Sequence, residues 1–317
     1  HNQIEEASKL IQDIQIETFG SVDRAYKVDY ILFQMRILLQ KGDYIRTLIV
    51  SNKVNRKHLN DEGLEKLKVE FYNLMIRYYL KEEKFIEVSK CFKTLYDFVK
   101  SINEKFLKNE TIKEPVRANY QEILSQVNLN VLFVNYVMYL TICPPELETR
   151  NMLNELNISY KKDLEECPDM FQIVTKLLSD DIIFIDNNFL NNFTRYPIFQ
   201  AGVNELNPEK HYRLFRKYLI QHNLIIFQKF FSQVRLDRVG RMIGIDSKEV
   251  ETEIADMVIN NYIYARINRI TATVNFKPKS DHNDKLNDIN YDLMKMLEKI
   301  ETTCHLIHKE NLKHDIK

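Results

Sequence analysis

Potential metal ligands cluster near the C-terminal end of the chain. Cys304 and His308 stand four residues apart, so on a helix they would share one face, with His305 beside them. A thiolate and an imidazole can bind zinc, but a zinc site takes four ligands, or three and a water, and no further ligand stands at a usual spacing. We therefore interpret these residues as a thiol and two imidazoles on a packed helix, and we predict neither a metal site nor any other cofactor.

Sequence motifs for catalysis are absent from the chain. It contains no phosphate-binding P-loop, no dinucleotide-binding GxGxxG, no HExxH zinc motif and no GxSxG nucleophile turn. Adjacent carboxylates occur at 165–166 and 180–181, and such pairs are typical of solvated helix faces or helix ends. The sequence predicts a protein that is not an enzyme.

A different kind of chemistry, the reading of DNA, is suggested by residues 235–276. Their pattern predicts a helix, a turn, a second helix and a hairpin of two short strands, which together form a winged helix. The second helix of a DNA reader enters the major groove, and its affinity comes largely from neutralised phosphates. Here that helix begins at the capping residue Asp246. Its polar positions are mostly acidic: Glu249, Glu251, Glu253 and Asp256, against Lys248. We therefore expect the motif to serve another use.

The charge of the whole chain agrees with that expectation. Its 317 residues carry 45 basic and 45 acidic side chains, with a pI near 7.2, whereas dedicated phosphate binders usually show a basic excess. A nucleic-acid contact through basic side chains on or after the wing stays open as an alternative. These side chains are Arg266, Arg269, Lys277 and Lys279. Charged side chains also guard exposed strand edges, and we favour that interpretation.

The elements that position these residues are expected to be helices. The chain is 44% hydrophobic and 28% charged, and its six Gly and seven Pro leave few turn signals. The longest apolar run, 131–140, is too short to cross a bilayer, and no charged-then-apolar leader opens the chain. Four widely separated cysteines without a CxxC pair are typical of buried free thiols. We expect a mostly α, soluble, intracellular protein without membrane contact.

A repeat of helical hairpins occupies the first part of the chain. In 26–40, apolar residues recur at helical spacing, and Lys41, Gly42 and Asp43 end this helix before another begins at Tyr44. A shift of 41 positions aligns the apolar residues of the first hairpin with those of a second: Val28 with Val69, Met35 with Ile76, Leu38 with Tyr79, Leu39 with Leu80, Tyr44 with Phe85 and Ile45 with Ile86. This period indicates stacked helix pairs, an architecture that usually binds proteins.

Further helices follow the two hairpins. The sequence predicts a third pair, at Val116–Ile142 and Pro145–Leu156, and then a short helix and an irregular connection within 181–208. One long amphipathic helix is predicted from about Pro208 to Val234. The predicted architecture is a TPR-like solenoid of helical hairpins in residues 1–207, a linker helix and winged helix in 208–280, and a C-terminal bundle helix in 281–317.

The C-terminal helix carries an apolar seam with heptad spacing. The seam residues are Leu286, Ile289, Leu293, Met296, Ile300, Thr303 and Ile307. Met294, Leu297, Cys304 and Leu306 widen the apolar stripe beyond the needs of a two-stranded coil, so bundle packing fits better than a simple dimer. We predict partner contacts through all seam residues except Thr303. The alternative is that the helix folds back on the winged helix of its own chain.

The hairpin of the winged helix offers a second means of association. Main-chain groups on an unpaired sheet edge can accept a strand from another protein. The predicted contact residues at this edge are Ile263, Ala265, Ile267, Ala272, Val274 and Phe276. Proline at Ala272 or Thr273 is expected to remove a ladder donor and to block lateral assembly while the helical repeats stay folded.

Helical hairpins, a winged helix and a terminal helix, in this order, resemble the PCI-domain family. Six strings are similar to the branch of that family found in the proteasome lid: IETFGS at 16–21, YIRT at 44–47, FYNLMI at 71–76, HN at 222–223, YARINR with VNF within 264–276, and HLIHKE at 305–310. Residues 100–207 contribute no such string. The resemblance places the start of the chain inside the family's helical repeats, so we expect an N-terminal portion of the family pattern to be missing here.

The resemblance implies a noncatalytic scaffold of the proteasome regulatory particle, located in the cytoplasm and nucleus. In this family the winged helices of neighbouring subunits join edge to edge and the terminal helices gather in one bundle, roles that would fall to 262–276 and to the helix from 284 on. The implied partners are other PCI lid subunits and the metalloprotease-type deubiquitinase of the lid and, through the assembly, the proteasome base and core particle, with no nucleic acid. The COP9 signalosome and a translation initiation complex use the same architecture and stay open as alternatives.

Overall fold

The structure of the protein is a computed structural model. It describes residues 5, 8, 10, 11, 16, 22–61, 63–107, 114–200, 208–276 and 282–313. Within these residues the chain is mostly helical, and three short strands form one small sheet. The predicted mostly α fold is confirmed.

The described residues form fourteen α-helices. The earlier helices are α1 (Arg24–Lys41), α2 (Tyr44–Ser51), α3 (Glu65–Lys81), α4 (Phe85–Leu107), α5 (Glu114–Gln126), α6 (Leu129–Thr141), α7 (Leu147–Ser159), α8 (Lys161–Glu165), α9 (Pro168–Leu178) and α10 (Asn187–Thr194). The later helices are α11 (Pro208–Phe230), α12 (Leu236–Ile243), α13 (Ser247–Ile259) and α14 (His282–Lys313). The strands are β1 (Gln233–Arg235), β2 (Arg266–Asn268) and β3 (Thr273–Asn275), and short 3-10 helices lie at His58–Asn60 and Pro197–Phe199.

The predicted hairpin repeat is present in α1 to α4. Helix α3 begins 41 residues after α1, and α4 begins 41 residues after α2. Gly42 ends α1 with φ of 83°, a left-handed conformation that glycine adopts without strain, and the side chain of Asp43 then accepts a hydrogen bond from the backbone of Arg46 in α2. The aligned residues Met35 and Ile76 are both buried, so the two hairpins bury corresponding faces.

The apolar run at 131–140 is part of the core helix α6. This helix packs against α4, where the rings of Phe92 and Tyr139 stack with centroids 5.5 Å apart. The hydroxyl of Ser89 donates a hydrogen bond to the carbonyl of Tyr136 across the same contact, over 3.1 Å. The high hydropathy of this run therefore reflects burial on nearly all sides within the solenoid.

The prediction of one helix from Val116 to Ile142 is wrong. Two helices, α5 and α6, meet there because Asn128 is extended and its side chain accepts a hydrogen bond from the backbone of Asn130, which caps α6. Of the described helices, none is by itself long and apolar enough to cross a membrane. Arg117–Gln126 and Leu129–Thr141 pass that test of length and composition together, but they are bent by 58° relative to each other.

The last residues of the predicted long helix are a strand. Helix α11 ends at Phe230, and Gln233–Arg235 forms β1. The sheet has the order β1–β3–β2, with both pairings antiparallel. Val234 points into the core between exposed Gln233 and Arg235, but three residues are too short a run for this alternation to be recognised in a sequence.

The two helices of the winged helix lie where the sequence predicts them. Gly244 ends α12 with φ of 86°, and the carboxylate of Asp246 accepts a hydrogen bond from the backbone of Ser247 at the start of α13. The apolar stripe of α13 is buried in the core. The short helix and irregular connection predicted within 181–208 correspond to α10 and its surroundings, whereas 201–207, with the predicted boundary after residue 207, lies outside the described residues.

Candidate interaction surfaces

The acidic side of α13 is occupied by contacts within the chain. Each of its four predicted acidic residues has a partner: Glu249 with Arg216 at 2.9 Å, Asp256 with Lys217 at 2.8 Å, Glu253 with Gln221 at 3.3 Å and Glu251 with Arg269 at 2.7 Å. The first three partners belong to α11, so α11 covers this side of α13. Burial raises the pKa of the Glu253 carboxyl group, which agrees with its position between two helices.

These contacts argue against DNA reading by α13. A recognition helix must present its polar side to the groove, but here that side faces α11. Two of the basic residues that left a nucleic-acid contact as an alternative have partners within the chain. Arg269 forms an ion pair with Glu251, and the guanidinium of Arg266 lies 5.6 Å from the ring centre of Tyr264. The predicted basic residues at 277 and 279 lie outside the described residues. The winged helix therefore has another use, and its sheet edge is the next candidate surface.

An extended segment, residues 181–186, which we call the strap, is hydrogen-bonded to α11. Asn223 on α11 is fully buried and makes two hydrogen bonds to the strap. The N–H of Ile183 donates to Asn223 Oδ1, and Asn223 Nδ2 donates to the carbonyl of Ile183, each over 2.8 Å. An amide side chain is the group that can satisfy a buried backbone donor and acceptor together.

The same strap reaches the winged helix. The N–H of Ile185 donates to the carbonyl of Ile243 at the end of α12, over 2.8 Å. A Cβ atom at Gly244 would come within 3.0 Å of the Phe184 ring, so only glycine allows this close approach. The strap thus ties α11 to α12 and orients the winged helix. The HN string at 222–223 includes Asn223, but the sequence does not predict its contact with the strap.

The predicted wing-edge residues do not all lie at an edge. Ile263, Val274 and Phe276 are buried in the core, so their prediction as partner contacts is wrong. Ala272 lies in the turn between β2 and β3 with φ of 49°. Ala265 and Ile267 are half-buried, and Ile267 is on the edge strand β2, so these two stay predictions.

The reason for the error is that β3 is the central strand. Its backbone is paired on both sides, with β1 and with β2. Because the sequence did not predict β1, β3 was expected at the edge of the sheet. Two hydrogen bonds show which backbone groups of this strand face β1. The N–H of Leu236 donates to the carbonyl of Ala272, and the N–H of Phe276 donates to the carbonyl of Ser232. Because backbone groups alternate in direction along an antiparallel strand, those of Thr273 point toward β2. Proline at Thr273 would therefore break the sheet itself, and proline at Ala272 cannot adopt a positive φ.

The free edge of β2 is short but well defined. Arg266 pairs with Asn275 and Asn268 with Thr273. Because the backbone groups of Thr273 and Asn275 face β2, the alternation leaves the N–H and C=O of Ile267 pointing away from the sheet. An incoming strand could pair with these two groups.

The terminal helix α14 exposes its seam. Every side chain described on this helix is exposed, including the six predicted contact residues: Leu286, Ile289, Leu293, Met296, Ile300 and Ile307. The exposed fraction is 53% for Leu293 and 47% for Ile300, values that packing on the same chain would reduce to near zero. The alternative in which this helix folds back on its own winged helix is therefore wrong.

The Cys304 cluster lies on the same exposed helix. Cys304 itself is exposed, which contradicts its prediction as a buried thiol on a packed helix, whereas Cys91 and Cys143 are buried as predicted. Burial raises the pKa of each of these two thiols to about 12. Within the described ranges, no three His, Cys, Asp or Glu residues come together in a way that could hold a metal ion.

Comparison with known families gives the class of the protein. Residues 158–278 match the model of the PCI domain, and residues 1–105 match the model described as PSMD12/CSN4, N-terminal. Residues 158–278 are thus similar to PCI domains, which confirms the resemblance carried by the sequence strings.

The chain is also similar to curated regulatory subunits of the 26S proteasome. The chain is 26% identical over 326 residues to the 26S proteasome regulatory subunit RPN5 of Saccharomyces cerevisiae, covering 99% of the chain and 65% of the relative. It is 26% identical to the 26S proteasome non-ATPase regulatory subunit 12 homolog A of Arabidopsis thaliana (98% of the chain, 71% of the relative). It is 25% identical to the corresponding subunit of Dictyostelium discoideum (99% and 64%). The chain thus spans about two thirds of the length of these relatives.

Proposed function

We propose that this chain is a noncatalytic scaffold subunit of the lid of a proteasome regulatory particle, serving the ATP-dependent degradation of ubiquitinated proteins. The observation that carries the proposal is α14, a helix of 32 residues whose apolar seam is exposed along its described length. Such a seam is costly to leave in water and is typical of a helix that packs in a bundle with other chains. The names of the relatives, which are proteasome regulatory subunits, support the choice of this assembly.

The second support is the winged helix. Its recognition helix is packed against α11, and its remaining polar backbone groups lie at the edge of β2, at Ile267. We propose that β2 pairs with the winged helix of a neighbouring PCI subunit. The partners would be other PCI lid subunits and the lid deubiquitinase, with the proteasome base and core particle reached through the assembly, in the cytoplasm and nucleus.

This role needs no catalytic residues in the chain. The described surfaces offer polar groups for pairing and an apolar seam for burial, and the relatives are named as regulatory subunits. The purified chain is expected to show no peptidase, ATPase or deubiquitinase activity. Any such activity that survives removal of contaminants would overturn the noncatalytic part of the proposal.

A signalosome scaffold is the second candidate, because the family model matched by residues 1–105 covers CSN4 as well as PSMD12. Tagging the chain in its native cell and identifying co-purified proteins by mass spectrometry separates the two. A lid subunit is expected to bring down the proteasome ATPases and the core particle in constant ratio. Recovery of a PCI complex without either of these would contradict the lid and favour the signalosome.

A further inference from the structure

A cavity lies where the solenoid meets α11. Its volume is about 320 Å³, and it is walled by the ends of α6 and α9, the first turns of α7 and the outer part of α11. One side is aliphatic, formed by Leu140, Leu153, Leu177 and Ile225. Concave, partly apolar sites of this size are large enough for one side chain or a small ligand.

Two buried polar atoms at the cavity have no hydrogen-bond partner. Thr149 lines it from α7, is only 4% exposed, and its Oγ1 is unpaired. His222 lines it from α11, and its Nε2 is also buried and unpaired. Nearly all buried polar side-chain atoms in folded proteins pair with protein or ordered water, so these two atoms are available to a ligand that enters the cavity.

The imidazole of His222 is set up as an acceptor. The backbone of Lys176 is placed to accept a hydrogen bond from the ring, and because Nε2 has no partner, this bond would come from the other ring nitrogen, Nδ1. Burial lowers the pKa of His222 to about 4, so the ring is neutral near pH 7 and Nε2 carries a lone pair. A ligand must therefore offer a donor to this atom.

The charges around the cavity leave one cation free. Lys229 holds Asp180 at 2.5 Å, and the hydroxyl of Tyr262 donates to the carboxylate of Glu146 at 3.3 Å. Arg150 lines the cavity without a carboxylate at ion-pair distance in the described part of the chain, although its charge helps to lower the pKa of the Asp180 carboxyl group. The first turn of α7 lies beside it, and the side chain of the residue at its N-cap, Glu146, does not cap its backbone N–H groups. The guanidinium of Arg150 and the backbone N–H groups of this first turn are donors that suit a carboxylate.

We propose that this cavity binds the C-terminal residue of a peptide that ends in an aliphatic amino acid. The terminal carboxylate lies against Arg150 and accepts from the hydroxyl of Thr149. The backbone N–H of the same residue donates to His222 Nε2, and its side chain occupies the aliphatic side of the cavity. A terminal peptide residue carries these three groups, an acceptor anion, a donor and a branched apolar chain, on one α-carbon.

The test uses the full chain and a fluorescein-labelled peptide of sequence GSGSAL with a free carboxylate, followed by fluorescence anisotropy. We expect saturable binding with a dissociation constant below about 1 mM. The same peptide with a C-terminal carboxamide is expected to bind at least about tenfold more weakly, because it loses the charge-assisted bond to Arg150. Absence of saturable binding, or equal binding of the two peptides, overturns the proposal.

Variants of the protein locate the binding. Arg150→Gln removes the exposed guanidinium without disturbing the core and is expected to weaken binding at least about tenfold. Thr149→Val keeps the shape of the side chain and is expected to weaken it about threefold or more. The matched control is Arg213→Gln, because Arg213 is an exposed arginine of α11 that does not line the cavity. Unchanged binding by Arg150→Gln, or equal loss in Arg213→Gln, contradicts the assignment.

A peptide methylated on the nitrogen of its terminal leucine tests the role of His222. Loss of the donor is expected to weaken binding about fivefold in the wild-type protein. His222→Phe removes the acceptor, and this variant is expected to bind the methylated and unmethylated peptides equally. Discrimination that persists in His222→Phe would contradict the proposed hydrogen bond. These measurements need only the isolated chain, so their outcome is independent of any role in the proteasome.

Discussion

Helices α13 and α14 are both amphipathic, but they bury their apolar sides differently. In α13, Val250, Ile254 and Met257 are each 0% exposed because the rest of the winged helix and α11 surround them. In α14, Leu293 and Ile300 keep about half of their surface exposed. A helical periodicity therefore shows that a face requires a partner, but it does not show whether that partner belongs to the same chain.

The polar sides of the two helices differ in the same way. Three acidic residues of α13 pair with residues of α11 that are more than 30 positions away in sequence. In α14, His305 Nε2 lies 3.9 Å from the carboxylate of Glu301, one turn earlier on the same helix. Helix α13 is thus fixed by tertiary contacts on two sides, whereas the described part of α14 is held by contacts within its own helix.

The largest expected effect tests the buried apolar side of α13. Ile254→Ala removes buried atoms and leaves a cavity, so it should lower the free energy of unfolding of the isolated chain by about 2 to 5 kcal/mol. The matched variant on α14, Leu297→Ala, alters a side chain that is 63% exposed and should change it by less than about 0.5 kcal/mol. Urea denaturation followed by circular dichroism measures both, and similar losses in the two variants would contradict the comparison.

The second prediction concerns assembly through α14. Leu293→Ala with Ile300→Ala should leave the melting temperature of the isolated chain nearly unchanged, because neither side chain is packed. In a bundle, each truncation costs about 2 to 5 kcal/mol, so the double variant should be lost from the purified lid.

The control for this double variant lies on the opposite face of α14. Lys295→Ala with Thr302→Ala removes two side chains from positions outside the seam and should assemble normally. A marked fall in melting temperature for the Leu293 and Ile300 variant, with assembly intact, would mean that α14 packs on its own chain.

A smaller effect is expected at the edge of β2. Ile267→Pro removes a backbone N–H that points away from the sheet, so the sheet keeps its internal ladder while lateral pairing loses a donor. Ile267→Ala shortens the same side chain and keeps the N–H. We expect recovery in the assembled lid to fall several-fold more for proline than for alanine, and equal recovery of the two variants would remove the support for edge pairing.

Helices that belong to a sequence repeat or begin with a clear capping residue could be predicted from the sequence. The 41-residue period located the two hairpins and the starts of α2 and α4, and Asp246 located the start of α13, because apolar spacing and capping are local properties. The apolar seam of α14 was also evident from its spacing, whereas its exposure is seen only in the structure. What the spacing left open, whether this seam meets the same chain, depends on tertiary packing.

The elements that depend on distant residues could not be predicted. Strand β1 is three residues long and exists because β3 pairs with it, and missing it made β3 look like an edge. The same omission placed Val274 and Phe276 at a partner surface although they are in the core. The two hydrogen bonds of Asn223 join residues 40 positions apart, and the string HN alone carries no information about the strap it binds.

The smallest expected effect concerns the polar side of α13. Burial raises the folded-state pKa of Glu253 above its ordinary value, so the charged carboxylate is disfavoured by folding at every pH above that raised value. Glu253→Gln removes the cost of burying this charge and should stabilise the isolated chain near pH 7 by less than about 1 kcal/mol, because water partly screens the residue. The gain should vanish as the pH falls below the ordinary pKa of a glutamate, because the wild-type carboxyl group is then neutral in both states. A Glu253→Gln variant that is less stable than wild type at pH 7 would mean that the attraction of Glu253 to Lys217 outweighs the cost of burial.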